Sequence, residues 1–366
     1  MSGSVIGKHF TVSTWGESHG AALGVVIDGC PAGLSLCEAD IQPYMDRRKP
    51  GQSDYTTKRR EADDIRILSG VFEGKTTGTP ISLILYNEDH RSADYSVLAD
   101  AYRPGHADLA YDQKYGFRDY RGGGRSSGRE TAARVASGAV AGKLLKEFGI
   151  SCRAYTRSIG PVSITSYDEE ERLKNSLYMP DASACEKAEA YLKEVMAKKD
   201  SAGGVIECVI SGCPKGLGEP VFDKLSADLA KAVCSIGAVK GFEIGDGFAS
   251  ADTLGSKNND PLFFKEGGIH TASNHAGGIY GGIANGADIL FRAAIKPTPS
   301  ISQTQDTVTR DGKPIKLEIP GRHDPVIVPR AVVVVESMAC LVIADHLIGN
   351  MSSRLEGMLA FYHCQP

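Results

Sequence analysis

A seven-residue string occurs twice in this chain and limits the folds that the sequence can adopt. Residues 28–34 read D-G-C-P-A-G-L, and residues 211–217 read S-G-C-P-K-G-L. An apolar, strand-like run precedes each string, and a helical pattern follows it over residues 38–48 and 226–236. A duplicated unit of strand, Gly-Pro turn and helix would explain both copies. Strings this short and this rich in glycine and proline also match by chance, so both explanations stay open.

Hydrophobic periodicity predicts further elements around this unit. We expect strands over residues 65–72 and 81–86, joined as a hairpin through residues 74–78, and another strand over residues 331–335. We expect helices over residues 129–148, 180–198 and 337–348. Because no Pro/Ser-rich linker divides the chain, the sequence favours one α+β domain over residues 1–366.

Composition narrows the class of protein. The chain has 366 residues, 42% of them hydrophobic and 23% charged, which is enough to bury a full core. A net charge of −4 argues against a nucleic-acid binder, and the clustering of the cationic residues in a few places favours small anions as ligands. The nine cysteines form no C-x-x-C pair, so neither zinc nor a disulfide framework is indicated. The N-terminus lacks an apolar signal core, and we expect no membrane-spanning run and a cytosolic location with reduced thiols.

Residues 118–134, R-D-Y-R-G-G-G-R-S-S-G-R-E-T-A-A-R, are typical of an anion site. Three consecutive glycines allow backbone N–H groups to approach a ligand, and Ser127 with Glu130 fits a capping box at a helix start. The helix N-terminus and the guanidinium groups would both favour an anion. Only Asp119 and Glu130 lie nearby in sequence to neutralise the five arginines. A solvated, salt-bridged helix start is the alternative.

Two histidines lie in glycine-containing loops and suggest proton transfer, His19 in G-E-S-H-G and His106 in R-P-G-H-A-D. The first string also fits G-x-S-x-G, the nucleophile elbow of a serine hydrolase at Ser18. Residues 21–27 continue as a strand-like run instead of a helix, which argues against the hydrolase. Residues 70–76 fall one residue short of a P-loop and lie in the expected hairpin, so we reject an ATP site there.

Glycine and proline are dense in three C-terminal strings, S-N-H-A-G-G from residue 273, K-P-T-P-S from residue 296 and R-H-D-P from residue 322. Such density indicates either backbone-lined ligand contact or an irregular loop region. Asp324 is flanked by cationic neighbours, so it is either part of a salt-bridged turn or a carboxylate that acts as a base.

Taken together and in order, these strings resemble the chorismate synthase family over nearly the whole chain, most weakly over residues 151–205. The resemblance implies a β-α-β sandwich, with helical layers between antiparallel sheets, assembled as a homotetramer. It implies a lyase that converts 5-enolpyruvylshikimate 3-phosphate to chorismate by 1,4-anti elimination of phosphate. It also implies reduced FMN as an obligatory cofactor, although the reaction has no net redox change.

The resemblance also implies roles for individual residues. His19 would protonate the departing phosphate, His106 would stabilise the protonation state of the reduced flavin, and Asp324 would assist proton acceptance at the flavin. Substrate would be bound by Arg48, Arg60, Arg103, Arg129 and Arg134. FMN would be held by Arg125, Ser126, Ser127, Gly237, Ala238, Gly278, Lys296, Pro297, Thr298, Pro299, Ser300 and Arg322.

The chain departs from the family pattern at Asp54, where some relatives have arginine, and at Gly237, where some have asparagine. The first departure weakens an NADPH site, so we expect no intrinsic NADPH-dependent flavin reductase activity and an external source of reduced flavin. A flavin-binding or phosphate-binding protein without turnover is the competing class, and the serine hydrolase is a second.

Overall fold

Two five-stranded antiparallel sheets lie on either side of a layer of helices in the computed structural model, which describes residues 3–53, 55–56, 62–87, 98–319 and 324–363. Two long helices, α3 (Thr131–Lys146) and α8 (Val328–Gly349), pack against each other at the centre of this layer. Both bury apolar residues on nearly all sides, as helices between two sheets must. The α+β sandwich expected from the sequence is therefore confirmed.

The first half of the chain supplies one sheet and its helices. Its strands are β1 (Val5–Ile6), β2 (Thr11–Gly16), β3 (Ala22–Asp28), β4 (Arg66–Ile67), β5 (Val71–Phe72), β6 (Lys75–Thr76) and β7 (Ile81–Tyr86). Its helices are α1 (Glu38–Arg48), α2 (Asp108–Tyr115) and α3.

The second half supplies the other sheet and three small hairpins. Its strands are β8 (Ser151–Ile159), β9 (Val162–Ser163), β10 (Gly204–Ser211), β11 (Val239–Ile244), β12 (Leu262–Lys265), β13 (Gly268–Thr271), β14 (Ile279–Tyr280), β15 (Ile283–Ala284), β16 (Ile289–Ile295), β17 (Thr304–Val308) and β18 (Pro314–Glu318). Its helices are α4 (Glu169–Lys174), α5 (Ala182–Ala197), α6 (Leu225–Cys234), α7 (Gly255–Asn258), α8 and α9 (Leu355–His363).

The two sheets share one topology over four strands, β2-β3-β7-β4 and β8-β10-β16-β11. The first sheet has the order β1-β2-β3-β7-β4, and the second, read from its other edge, has the order β9-β8-β10-β16-β11. Their outer strands differ, because β1 precedes β2 in the chain whereas β9 follows β8. The duplicated string follows the central strand of each sheet. Gly33 N donates to Thr76 O at 2.8 Å in the first copy, and Gly216 N donates to Ala284 O at 2.9 Å in the second. Matching order and matching turn contacts favour duplication over chance.

A glycine is required at the start of both turns. Gly29 has φ 85°, and a Cβ there would lie 1.8 Å from His9 O. Gly212 has φ 75°, and a Cβ there would lie 2.3 Å from Gly149 O. In both halves the turn therefore runs against the backbone of a neighbouring segment.

Three predicted elements differ from the structure. Residues 331–335 are not a strand, because this valine run lies inside α8, where burial on all sides outweighs the β preference of branched side chains. Residues 65–72 form two short strands, of which β4 pairs with β7 and β5 forms a separate hairpin with β6. The predicted helix from residue 129 begins as α3 at Thr131, after a 3₁₀ turn over Gly128–Glu130.

The expectation that no run approaches membrane-spanning length is also wrong. Among the described residues, the helical stretch Val328–Ser352 is long and apolar enough to cross a membrane, by length and composition, and its most apolar part has a mean hydropathy of 2.0. However, 78% of this apolar part is buried inside the protein. Its apolar surface therefore faces the other helices and the second sheet, as in the core helix of a globular domain.

Candidate active site

The loop between β2 and β3 brings His19 against the triple-glycine loop, about a hundred residues further along the chain. The Nδ1 atom of His19 lies 3.0 Å from the hydroxyl of the buried Ser18. A Cβ on Gly122 would lie only 2.4 Å from the same Nδ1. Glycine at this position therefore lets the imidazole ring pack directly on the loop backbone. Because β3 follows the loop as a strand, the G-x-S-x-G string is not a nucleophile elbow.

Arg125, Ser126 and Ser127 all hold the glycine loop in shape. Arg125 Nη1 donates to Gly16 O at 3.1 Å, which ties the loop to the end of β2. Ser126 Oγ donates to Gly123 O at 2.6 Å. Ser127 Oγ accepts from the backbone N of Arg129 at 3.3 Å, so it caps the 3₁₀ turn that leads into α3. A helical N-terminus does begin beside the glycines, as the sequence predicts.

The predicted capping box is only half formed. The carboxylate of Glu130 accepts from Arg134 Nε at 2.9 Å instead of returning to the backbone of Ser127. Arg134 also donates to Ser235 Oγ at 2.6 Å and to Ser235 O at 3.2 Å. Arg134 therefore joins α3 to the segment that leads into Gly237 and Ala238, which the resemblance assigns to FMN.

In the fold, the arginines of this segment have more counterions than the two acids that lie near them in sequence. The two local acids pair with Arg121 and Arg134, and carboxylates from outside the segment pair with two further arginines, Asp112 with Arg118 and Asp63 with Arg129. Two of these four acids lie outside residues 118–134. Arg118 is an anchor for the preceding loop, since its guanidinium donates to Leu98 O at 2.9 Å and to Ala101 O at 3.2 Å.

Arg48 and Arg129 are bound by one buried carboxylate, that of Asp63, which the sequence analysis missed. Arg48 is 1% exposed, and its Nε lies 3.0 Å from Asp63 Oδ2. Its Nη1 donates to Gly128 O at 3.4 Å. Arg129 Nη1 donates to Asp63 Oδ1, and Arg129 Nε donates to Asn87 Oδ1 at 2.9 Å. The two arginines thus belong to one network beneath the glycine loop.

Charge and backbone conformation both mark Asp63 as unusual. Burial acts to raise the pKa of its carboxyl group, but the guanidinium groups of Arg48 and Arg129 outweigh burial and hold the pKa below its usual range. Its φ of 54° lies in the left-handed region, which a non-glycine residue rarely adopts. Strained residues of this kind cluster at functional sites, and this is a signal that only the structure gives.

The R-P-G-H-A-D string closes into a ring through its first and last residues. Arg103 Nε and Nη2 donate to the two oxygens of Asp108 at 2.8 and 2.7 Å, and Arg103 N donates to the same carboxylate at 3.0 Å. Arg103 Nη2 also lies 3.4 Å from Gly122 O. The string is therefore fixed beside the glycine loop and His19.

This arrangement holds His106 in a half-buried position. Its Nδ1 lies 3.0 Å from Pro104 O, which can only accept, so Nδ1 carries the proton. Its Nε2 lies 2.9 Å from Ser300 Oγ and accepts from that hydroxyl when the ring is neutral. Burial, and then the charge of Arg103, lower the pKa of His106 from its usual 6.5. The ring is therefore neutral near pH 7.

The K-P-T-P-S string meets the histidine loop on one side and the Gly237–Ala238 turn on the other. Lys296 Nζ donates to Gly105 O at 3.1 Å, and Lys296 N donates to Ala238 O at 2.9 Å. A Cβ on Gly105, which has φ 70°, would lie 2.8 Å from Pro299 Cβ. Three segments that the resemblance assigns to one site are thus joined by direct contacts.

The residues of these segments fit a bound FMN. Thr298 Oγ1 is shielded from solvent and has no hydrogen-bond partner among the described residues, so the site keeps a polar group for a ligand. No other described atom lies within 4 Å of the point where a Cβ on Gly237 would stand, so the backbone there is open to approach. Lys296 adds a cation whose ammonium contacts Gly105 O and whose backbone N contacts Ala238 O. A hydroxyl, open backbone and a cation suit the phosphate and carbonyl oxygens of a flavin nucleotide.

Asp324 reaches this cluster through Arg330, a residue that the sequence analysis did not single out. Arg330 Nη1 donates to Asp324 Oδ2 at 2.8 Å, and Arg330 Nε donates to Arg48 O at 3.0 Å. Ala202 N donates to Pro325 O at 2.8 Å, one residue after Asp324. The preceding Ser201 donates to Thr298 O at 2.7 Å, so Asp324 lies close to the K-P-T-P-S segment.

Gly278 is the one described site residue that the chain keeps apart from the rest. Its N donates to Asn274 Oδ1 at 2.7 Å, and it lies beside Asp288, just before β16. Lys296 directly follows the other end of β16, and a strand of this length spans roughly 20 Å. Arg60 and Arg322, also expected at the site, lie outside the described residues.

Comparisons with known proteins give one consistent family over nearly the whole chain. A family model for chorismate synthase matches residues 10–348. The chorismate synthases of Agathobacter rectalis and Lachnospira eligens are each 59% identical over 364 residues, which is 99% of this chain and 99% and 100% of theirs. That of Lachnoclostridium phytofermentans is 60% identical over 365 residues, 99% of this chain and 100% of its own. A crystal structure of chorismate synthase matches with a TM-score of 0.75 and 32% identity, covering 98% of this chain and 97% of that one.

Matches of this length and identity define a carbon–oxygen lyase of aromatic amino-acid biosynthesis, in the shikimate pathway. The chain belongs to the chorismate synthase family. Enzymes of this family act on 5-enolpyruvylshikimate 3-phosphate and require reduced FMN. The resemblance drawn from the short motifs is therefore confirmed over nearly the full chain.

Proposed function

We propose that this chain eliminates phosphate from 5-enolpyruvylshikimate 3-phosphate in the 1,4-anti sense at the cluster formed by His19, His106 and Asp324. The observation that supports the proposal best is the continuity of contacts between these residues. Gly122 touches both His19 and Arg103, and the loop of Arg103 carries His106 to Ser300. Ser201 and Ala202 then join the K-P-T-P-S segment to the neighbour of Asp324.

His19 is the proposed acid that protonates the departing phosphate. Its imidazole ring has a fixed position, since Ser18 contacts Nδ1 and Gly122 packs against the same edge. A histidine can carry the transferred proton near neutral pH. General acid catalysis of this kind accelerates a reaction by about 10² to 10⁴.

His106 acts as a neutral ring in this proposal. Its Nδ1–H is bound by Pro104 O, so Nε2 is the acceptor that faces Ser300 and the proposed FMN segment. Asp324 is the proposed carboxylate on the proton-accepting side, and Arg330 holds it. When bound, reduced FMN supplies reversible electron donation that eases C–O cleavage without net redox change.

The proposed arginine shell stabilises an anionic substrate that carries one phosphate and two carboxylates. Arg48 and Arg103 are buried and ion-paired, so we propose that they stabilise the substrate through their electrostatic field from the wall of the site and do not contact it directly. Arg129, just before α3, shares Asp63 with Arg48, and Arg134, within α3, pairs with Glu130, so we place both in the same charged wall. Preorganised charges of this kind stabilise developing negative charge without reorganisation. Arg60 completes the proposed set.

We propose that FMN is held by the segments already joined through Lys296, together with Arg125, Ser126, Ser127 and Arg322. We further propose that reduced flavin comes from an external reductase or another reduced-flavin source. The departure at Asp54, which lies outside the described residues, supports this proposal. Steady turnover with oxidised FMN and NADPH alone would contradict it.

A homotetramer is the proposed assembly. Gly278 lies at the far end of β16 from the other proposed FMN residues, so a second copy is the simplest way to bring this glycine to a cofactor. The hairpin β12–β13 leaves Leu262, Phe264 and Ile269 exposed, which suits burial against another subunit. A sedimentation mass equal to a monomer would contradict the tetramer.

We propose that residues 1–366 act as one catalytic domain in the cytoplasm. The packing of α3 against α8 supports a single unit, because each half of the duplicated fold covers the central helix of the other. The cysteines of the described residues are free thiols, as in a reducing compartment.

The deciding experiment is anaerobic phosphate release from 5-enolpyruvylshikimate 3-phosphate by the purified protein, with chorismate absorbance followed in parallel. Release only with dithionite-reduced FMN would support the proposed elimination. Flavin binding without release in either condition would favour a binding protein without turnover. His19→Ala and His106→Ala then test the assigned roles, since each is expected to lower turnover by roughly 10² or more.

A further inference from the structure

Arg330 occupies a position where a cation is electrostatically unfavourable. It is the third residue of α8, whose first turn contains no acidic residue. The amino end of a helix carries partial positive charge and disfavours a nearby guanidinium. Specific partners must therefore hold Arg330 at this place.

Those partners are a carboxylate on one side and a backbone carbonyl on the other. Arg330 Nη1 lies 2.8 Å from Asp324 Oδ2, and Arg330 Nε lies 3.0 Å from Arg48 O. The side chains of the ion pair are 19% and 15% exposed. Arg48 is itself the last residue of α1 and is fixed by the buried Asp63. The guanidinium thus connects a carboxylate at the site to the rigid helical layer.

We infer that Arg330 is a positioning residue for the elimination, which fixes the orientation of the Asp324 carboxylate and keeps it beside the proposed flavin site. The inference rests on the proposed function, which gives Asp324 its place in the reaction. Arg330 acts through Asp324 and contributes no group of its own to the reacting atoms. Arginine suits the role because its planar fork reaches both acceptors at once, whereas lysine offers a single charged nitrogen.

The test is a double-mutant cycle on the full-length protein with reduced FMN supplied anaerobically. Arg330→Gln is expected to lower kcat by roughly 10 to 100-fold, with KM within about threefold, because Arg330 itself is not a substrate-binding group and Arg48 stays fixed by Asp63. Arg330→Lys is expected to recover part of kcat, since it restores the charge without the second contact. In an Asp324→Asn background, Arg330→Gln is expected to lower kcat by less than about a further threefold, because the carboxylate that Arg330 positions is already absent.

A matched control is Arg172→Gln, which breaks another paired arginine far along the chain. Arg172 Nη2 lies 2.6 Å from Glu169 Oε1 in α4, and Arg172 is buried. This variant is expected to lower the thermal midpoint and leave kcat near the wild-type value. A purely structural role for Arg330 predicts the same behaviour for Arg330→Gln.

Three outcomes separate the possibilities. Wild-type kcat in Arg330→Gln, with a strongly impaired Asp324→Asn, would overturn the inference and leave the proposed function standing. An equal fold-loss from Arg330→Gln with Asp324 present or replaced would also overturn it, because the two residues would act independently. Wild-type kcat in Asp324→Asn would instead remove the proposed role of Asp324 itself.

Discussion

Arg48 and Arg129 bind the two oxygens of a single buried carboxylate, that of Asp63. One arginine ends α1 and the other precedes α3, so the carboxylate joins two helices of the central layer. Because Arg48 O also accepts from Arg330, the network extends to the first turn of α8. The three helices that carry proposed site residues therefore share one buried, charged junction.

Asp63→Asn should destabilise the protein strongly. It leaves two guanidinium groups at a buried site with a neutral partner, and breaking such a pair typically costs about 3–5 kcal/mol. Urea denaturation followed by circular dichroism measures the loss in the free energy of unfolding. Asp64→Asn is the matched control, because Asp64 is adjacent and exposed, and should change the free energy by less than about 0.5 kcal/mol. Similar losses in the two variants would show that the junction contributes nothing special.

The same network predicts acid sensitivity. The pKa of Asp63 is lowered from its usual 3.8, so its contribution to stability is complete above that pH and is lost as the pH falls through the native pKa. In urea melts below pH 4, the wild-type protein should therefore lose stability faster than Asp63→Asn. If the free energy of unfolding fell equally with pH in the two proteins, Asp63 would not be held ionised by Arg48 and Arg129.

Gly122→Ala should damage catalysis more than folding. A Cβ at this position would lie 2.4 Å from His19 Nδ1 and 3.0 Å from Ser18 Oγ, so the imidazole ring must move. A misplaced proton donor is expected to lower kcat by roughly 10² while the thermal midpoint changes little. Gly128→Ala is the control in the same loop, because no described atom lies within 4 Å of its added Cβ. Equal kcat in both variants would show that the packing of His19 against Gly122 does not matter for catalysis.

How much the sequence could predict depends on the distance over which each interaction acts. The motifs that identify the family and the glycine loop before α3 are local, and they were found. The contact of Gly122 with His19 and the ion pair of Arg129 with Asp63 join residues far apart in the chain, and no local pattern reports them. The valine run in α8 predicts a strand, because β-branched residues favour strands, but burial on all sides overrides that preference.

His106→Gln should change how stability depends on pH. The pKa of His106 is lowered in the folded protein from 6.5, first by burial and then by Arg103, so the unfolded chain takes up its proton at higher pH than the folded one. The wild-type protein therefore loses stability as the pH falls below 6.5, and the variant lacks this part of the loss. The thermal midpoints of the wild type and His106→Gln should therefore converge or cross as the pH is lowered from 7.5 to 5. His270→Gln, at an exposed position on β13, is the control, and a constant difference between wild type and His106→Gln would contradict the assignment.

Thr298→Val tests whether the orphaned hydroxyl belongs to the FMN site. Thr298 Oγ1 is shielded from solvent without a partner among the described residues, so replacing it by a methyl group should leave the FMN-free protein as stable as before or slightly more stable. If the hydroxyl binds FMN, the loss of one hydrogen bond of about 1 kcal/mol should raise the Kd for FMN roughly fivefold. Flavin fluorescence titration measures the Kd, and Thr298→Ser, which keeps the hydroxyl, should bind FMN nearly as the wild type does. Equal affinities of the Val and Ser variants would exclude the hydroxyl from the site, whereas a weaker Val variant with an unchanged thermal midpoint would assign it a ligand.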